Sequence, residues 1–176
     1  DGIYRDGPQV QQFSQHCQVF AVLTGTCTPE EGRANLLQTL KHPEQYAQCS
    51  VAMMPYLFRA LEQCDLYEQT QALWSPWRKM LQYHLTTCAE DLIRQRSDCH
   101  AWGALALYEL PSVVLGVRPA APGYAKVSVH PHPAQFRWAK GTVITPRGKV
   151  FVEWHKKADE TLEVNVSADN DNIIFC

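Results

Sequence analysis

Three short stretches of the chain combine side chains that could do chemistry. Thr86-Thr87-Cys88-Ala89-Glu90 ends in a carboxylate with Asp91 beside it. Arg96-Ser97-Asp98-Cys99-His100-Ala101-Trp102 places an imidazole two residues from an indole. Phe13-Ser14-Gln15-His16 carries a second imidazole near the start. A carboxylate on a loop can act as a general base, because loops on a rigid scaffold commonly supply catalytic groups. An imidazole offers one donor and one acceptor, and an indole offers a broad apolar face with a single N–H. Each also has a plainer reading: Glu90 as a solvated carboxylate, His100 and His16 as structural histidines, Trp102 as a packing residue, and Arg96 with Asp98 as a local ion pair that only fixes the loop.

The remaining reactive side chains argue against metal or thiol chemistry. The seven cysteines, Cys17, Cys27, Cys49, Cys64, Cys88, Cys99 and Cys176, are odd in number and none sits in a C-x-x-C pair, so the short spacing of a zinc site is missing. They read as free, mostly buried small side chains, Cys88 and Cys99 included, which fits a reducing compartment and makes the cytoplasm the expected location. His130, His132 and His155 lack acidic partners at ligand spacing. No metal or cofactor is expected.

Helices come first along the chain and strands second. Ser14 can cap a helix through Gly25, with Val19, Phe20, Val22 and Leu23 on one face. Thr28-Pro29-Glu30-Glu31 is a strong helix start, joining a capping hydroxyl, a proline at the first turn and acidic residues at the positive end of the helix dipole. That second helix should run to about Leu40. Val51, Met54, Leu57, Phe58 and Leu61 predict a third over 50–64, and a fourth is predicted over 67–82 with a bend near Pro76. A fifth, interrupted at Pro111, is predicted over 97–115. Trp74 and Trp77, three apart, read as packing between helices.

From Lys126 onward apolar residues alternate: Val127 and Val129, Thr142 and Ile144, Val150, Val152 and Trp154, then Leu162, Val164 and Val166. This is an antiparallel sheet signature. Pro146-Arg147-Gly148-Lys149 and Lys157-Ala158-Asp159-Glu160 supply turns. Trp138 and Trp154 are expected to fill the core. The resulting sandwich is short for its class, so strands from elsewhere complete it or the chain is cut. The reading is an α+β chain in two parts, residues 1–117 helical and residues 118–176 an antiparallel β-sandwich.

Composition places outer bounds on function. With 45% hydrophobic and 19% charged residues the chain can build a core. A net charge of -2 and a pI near 6.4 leave no basic stripe for nucleic acid or an anionic membrane. No apolar run approaches the roughly 20 residues that span a bilayer.

Taken in order, the three motifs resemble landmarks of the α-L-rhamnosidases of glycoside hydrolase family 78. Val114-Leu115-Gly116-Val117-Arg118-Pro119, Pro122-Gly123-Tyr124, Trp138-Ala139-Lys140-Gly141-Thr142-Val143 and Thr145-Pro146-Arg147-Gly148 likewise resemble that family's passage from catalytic barrel to C-terminal sandwich. The resemblance implies that the helical part is the last third or half of an (α/α)6 barrel built of helical hairpins. It implies release of terminal L-rhamnose by an inverting mechanism, with Glu90 as general base and Asp91 as the neighbouring alternative. Cys88-Ala89 departs from the commoner pattern of an aromatic or proline before the glutamate. His100, Trp102 and His16 become candidates for holding the sugar, a deoxy-pyranose whose methyl group suits an indole face.

Inverting chemistry needs a second carboxyl group as acid, roughly 6.5–9.5 Å away. The resemblance places that acid upstream, so the isolated fragment is expected to be inactive and any export signal would also lie upstream. The expected partners are a rhamnose-containing glycoside or polysaccharide and the rest of the barrel. An uncovered barrel arc would also favour self-association. The competing readings are an (α/α)6 hydrolase of another sugar, since one fold hosts many chemistries, and a non-catalytic carbohydrate-binding module centred on the sandwich.

Overall fold

The computed structural model describes residues 2–93 and 97–170. The chain forms two compact units, Asp1–Leu105 and Ala106–Cys176. Among the described residues no helix is long and apolar enough to cross a membrane.

The first unit is helical. Helix α1, Gln15–Leu23, starts at Ser14, whose hydroxyl accepts from the Cys17 N–H at 3.3 Å and donates to Asp6 at 2.6 Å. That bond from Ser14 is the main reason the Asp6 carboxyl lies below its ordinary range. Helix α2, Pro29–Lys41, opens with a full capping box in which Thr28 and Glu31 satisfy each other's backbone N–H groups. A 3₁₀ turn, Val51–Met53, leads into α3, Met54–Gln63. Val19, Leu36, Leu57, Phe58 and Leu61 are all fully buried, so α1, α2 and α3 share one core. The predicted fourth helix is a 3₁₀ turn, Tyr67–Gln69, followed by α4, Thr70–Leu73, and α5, Ser75–Gln82. The break falls just before Pro76, which has no N–H to continue the ladder. Trp74 packs edge-on against Phe58 and Trp77, as expected for packing residues.

Two buried glutamines tie the loops to this core. Gln18 donates to the carbonyls of Tyr4 and Ser14 and accepts from the Tyr4 N–H, which holds the N-terminal segment down. Gln15 donates to Thr39 and accepts from the Cys49 N–H at 3.1 Å. With the bridge between Ser14 and Ala47, this fixes the loop before α3. A buried amide costs stability unless its hydrogen bonds are made, and here they are.

The predicted fifth helix does not form as one element. Residues 97–100 are loop, Ala101–Gly103 is a single 3₁₀ turn, and α6 spans only Ala106–Glu109. Pro111 cannot donate to the preceding turn, and the backbone widens into a π-helical segment, Leu110–Val114, closed by a bond from the Leu115 N–H to the Leu110 carbonyl at 2.9 Å.

The second unit carries two antiparallel sheets. Strands β1, Val117–Pro119, and β2, Val127–Val129, form one; β3, Trp138–Thr145, β4, Gly148–Lys156, and β5, Leu162–Ala168, form the other in that order. Both predicted turns are present, with Pro146-Arg147 joining β3 to β4 in register Thr145 to Gly148. Val117, Val127, Val150, Val152 and Trp154 from both sheets pack with Val114 and Leu115 in one core. The Trp154 indole N–H donates to the Val114 carbonyl at 2.8 Å.

Strand β3 turns its other face inward from the one expected. Ala139, Gly141 and Val143 lie opposite Trp154, Val152 and Val150, while Ile144 is 79% exposed. Trp138, expected in the core, is 60% exposed. The reason is Gly141: a Cβ there would stand 2.5 Å from Leu115 Cδ1, so Leu115 fills the space that a larger inward side chain would take.

Candidate active site

Glu90 sits on a loop that folds back on itself through three rungs. The Thr87 hydroxyl donates to the Asp98 carbonyl, the His100 N–H to the Cys88 carbonyl at 2.7 Å, and the Glu90 N–H to the Ser97 carbonyl at 2.9 Å. The base of this loop rests on the Ala101–Gly103 turn. A Cβ on Gly103 would lie 3.0 Å from Cys88 Cβ and 3.1 Å from the Ala89 carbonyl, so the glycine permits the close approach. The Trp77 indole donates to the Gly103 carbonyl at 2.7 Å and pins that turn to α5. Thr87, Ser97, Gly103 and Trp77 are supporting residues that the sequence did not single out for the site. Only the glycine in Trp102-Gly103 could have hinted at it.

The Glu90 side chain is mostly buried but opens on a cleft of about 360 Å³ whose rim includes Gln48, Ser50, Lys79 and Asp91. Lys79 is the cation on the cleft rim among the described residues and was not foreseen; its place near the end of α5 carries no motif. Asp91 instead caps its own turn, accepting from the Ile93 N–H at 2.7 Å. His100 Nδ1 stands 3.8 Å from Glu90 Oε2, beyond hydrogen-bond length but close enough for an ion pair when the ring is protonated. The opposite ring atom, His100 Nε2, is buried and has no hydrogen-bond partner among the described residues. Trp102 meets His100 edge-on at 6.1 Å between ring centroids and is 62% exposed.

Glu90, His100 and Trp102 are therefore brought together. His16 is not on the cleft rim among the described residues: it lies half-buried in the first turn of α1, within electrostatic reach of Asp6. The expected Arg96–Asp98 pair falls outside the described residues. Cys99, expected to pack, is exposed; Cys88 is partly buried against Gly103. Cys49 at the cleft floor is buried, and burial alone pushes its thiol up to about 12.

Residues 116–168 match the bacterial alpha-L-rhamnosidase C-terminal domain. The chain is similar to the family 78 rhamnosidase of Bacillus sp. GL1, with a TM-score of 0.81 and 29% identity over 98% of this chain and 20% of that one. The α-L-rhamnosidase of Streptomyces avermitilis, solved with L-rhamnose, shares the fold at TM-score 0.73 and 18% identity, over 94% of this chain and 18% of that one. The Aspergillus terreus enzyme does so at TM-score 0.73 and 15% identity, over 94% and 21%. No curated protein matches the sequence. The chain thus spans about a fifth of the length of these structures. Residues 116–168 thus match a rhamnosidase C-terminal domain, and nearly the whole chain has the fold of a C-terminal part of the α-L-rhamnosidases of glycoside hydrolase family 78.

Proposed function

We propose that this chain is part of a glycosidase that releases terminal α-L-rhamnose from rhamnosides with inversion, and that Glu90 is its general base. The observation that carries the reading is the position of Glu90: a carboxylate on a three-rung loop, opening into a cleft, with an imidazole at 3.8 Å. The rungs fix the carboxylate so that a water in the cleft can lose its proton to it as the glycosidic bond breaks. His100 Nδ1 is close enough to Glu90 to exchange a proton with it through one water. Trp102 offers an exposed ring face for the apolar side of the sugar.

The general acid comes, in this reading, from barrel helices outside these 176 residues, and the chain alone does not turn over. Release of the chromophore from an aryl α-L-rhamnoside tests both points. The parent enzyme should be active, its Glu90→Gln variant should fall by about 10²–10⁴-fold, and the 176-residue chain should be silent. An active Glu90→Gln parent would remove Glu90 from the mechanism, and turnover by the chain alone would remove the upstream acid.

A further inference from the structure

The outward face of the larger sheet is organised like a binding surface, and nothing in the catalytic reading uses it. Strand pairing sets its side chains in rows. Trp138 stands beside His155 and Glu163, Lys140 beside Glu153 and Asn165, and Thr142 beside Phe151 and Ser167. Alternate residues of a strand share a face, so all nine side chains point the same way.

The first row carries two rings that run nearly parallel, 20° apart with centroids at 6.4 Å, and Trp138 is largely exposed. The third row puts Phe151 between two small hydroxyl residues, and an open cleft of about 440 Å³ lies there. Between them Glu153 is held from both sides, by Lys140 Nζ at 3.1 Å and His155 Nε2 at 3.2 Å. These contacts keep the Glu153 carboxyl below its usual range, Lys140 contributing most. The Trp138 and Phe151 rows are four positions apart on paired strands, about 13 Å at the usual rise per residue.

An aromatic platform at each end, with a fixed acceptor, an ammonium and an amide between and two hydroxyls flanking Phe151, suits a ligand with apolar ring faces and many neutral hydroxyls. The central ion pair cancels its own charge and Glu163 is paired with Lys157 at 3.5 Å, so the face selects for neither a polyanion nor a polycation. We propose that this face is a carbohydrate-binding site that takes a neutral stretch of a polysaccharide across Trp138 and Phe151, separate from the Glu90 cleft.

The site does not depend on Glu90 acting as a base, and the experiment reads binding and not turnover. The chain is run in native gels containing a soluble neutral rhamnan, with dextran gels as control. Retardation in the rhamnan gel is expected, with Trp138→Ala and Phe151→Ala each weakening it about tenfold, the share of an anchor aromatic. Leu81→Ala, at an exposed position on α5, should be retarded like the unmodified chain. Absence of retardation, or retardation equal in the two sheet variants and the unmodified chain, overturns the proposal. Retardation lost in Trp102→Ala but kept in both sheet variants also overturns it and assigns the sugar to the surface around Trp102. Both substitutions lie on an outward face, and matching circular dichroism spectra would show that the sheet is intact.

Discussion

Glu90 and His100 are separated by nine residues in sequence, and no spacing rule joins them; two backbone rungs and one from the Thr87 hydroxyl bring them to 3.8 Å. That juxtaposition was legible only through resemblance to a family, because a carboxylate followed by a distant imidazole is common in any sequence. Lys79 was invisible for the same reason, being one of two adjacent basic residues on an amphipathic helix. Thiol chemistry separates the cysteines where sequence treated them alike. Cys49 is buried with its thiol pushed up to about 12, whereas Cys99 is exposed. Brief treatment of the native chain with iodoacetamide should label Cys99 and spare Cys49, read by peptide mass mapping, since only the accessible thiolate reacts. Equal labelling of both would mean that the cleft floor opens in solution.

Helix starts were the most legible elements, because caps are local: Ser14 and the Thr28–Glu31 box act where the sequence places them. The predicted fifth helix failed because residues 97–100 are drawn into rungs with the Glu90 loop, a demand from outside the segment. Strand β3 failed for a related reason. Its apolar alternation favours Thr142 and Ile144, but the inward row is small because Leu115 occupies the room above Gly141. Hydropathy counts the side chains of a strand and takes no account of the neighbour that must fit against them.

Gly116 tests the join between the π-helical segment and β1. Its φ is +78°, and an added Cβ would fall 2.2 Å from the His130 carbonyl carbon, which is backbone and cannot swing aside. Gly116→Ala should therefore lower stability by about 3 kcal/mol or more in urea unfolding. Gly25→Ala also meets a positive φ, +68°, but open space, and should lose only about 1–2 kcal/mol. Equal losses would show that backbone conformation alone matters at both places.

At the scale of the molecule, the chain covers about a fifth of the length of the rhamnosidase structures it resembles. Order and class of its parts were readable, since helical and alternating patterns occupy separate stretches. What was not readable is how well each part is covered. In the larger sheet β5 pairs only with β4 among the described residues, and Val164 and Val166 remain partly exposed. An unpaired apolar edge invites a second chain. Sedimentation velocity should show mass above the 20.0 kDa of one chain, rising with concentration, and Val166→Lys should return it to a monomer. A monomer at all concentrations would mean that the edge is protected. Trp154, sealed in the core with its indole N–H on the Val114 carbonyl, has an optical consequence. A dry indole emits at shorter wavelength than the solvent-facing rings of Trp102 and Trp138, so in a Trp77→Phe chain, which lacks the buried indole of the first unit, the blue side of the emission reports most directly on the core of the second unit, and its red shift marks the moment that core admits water.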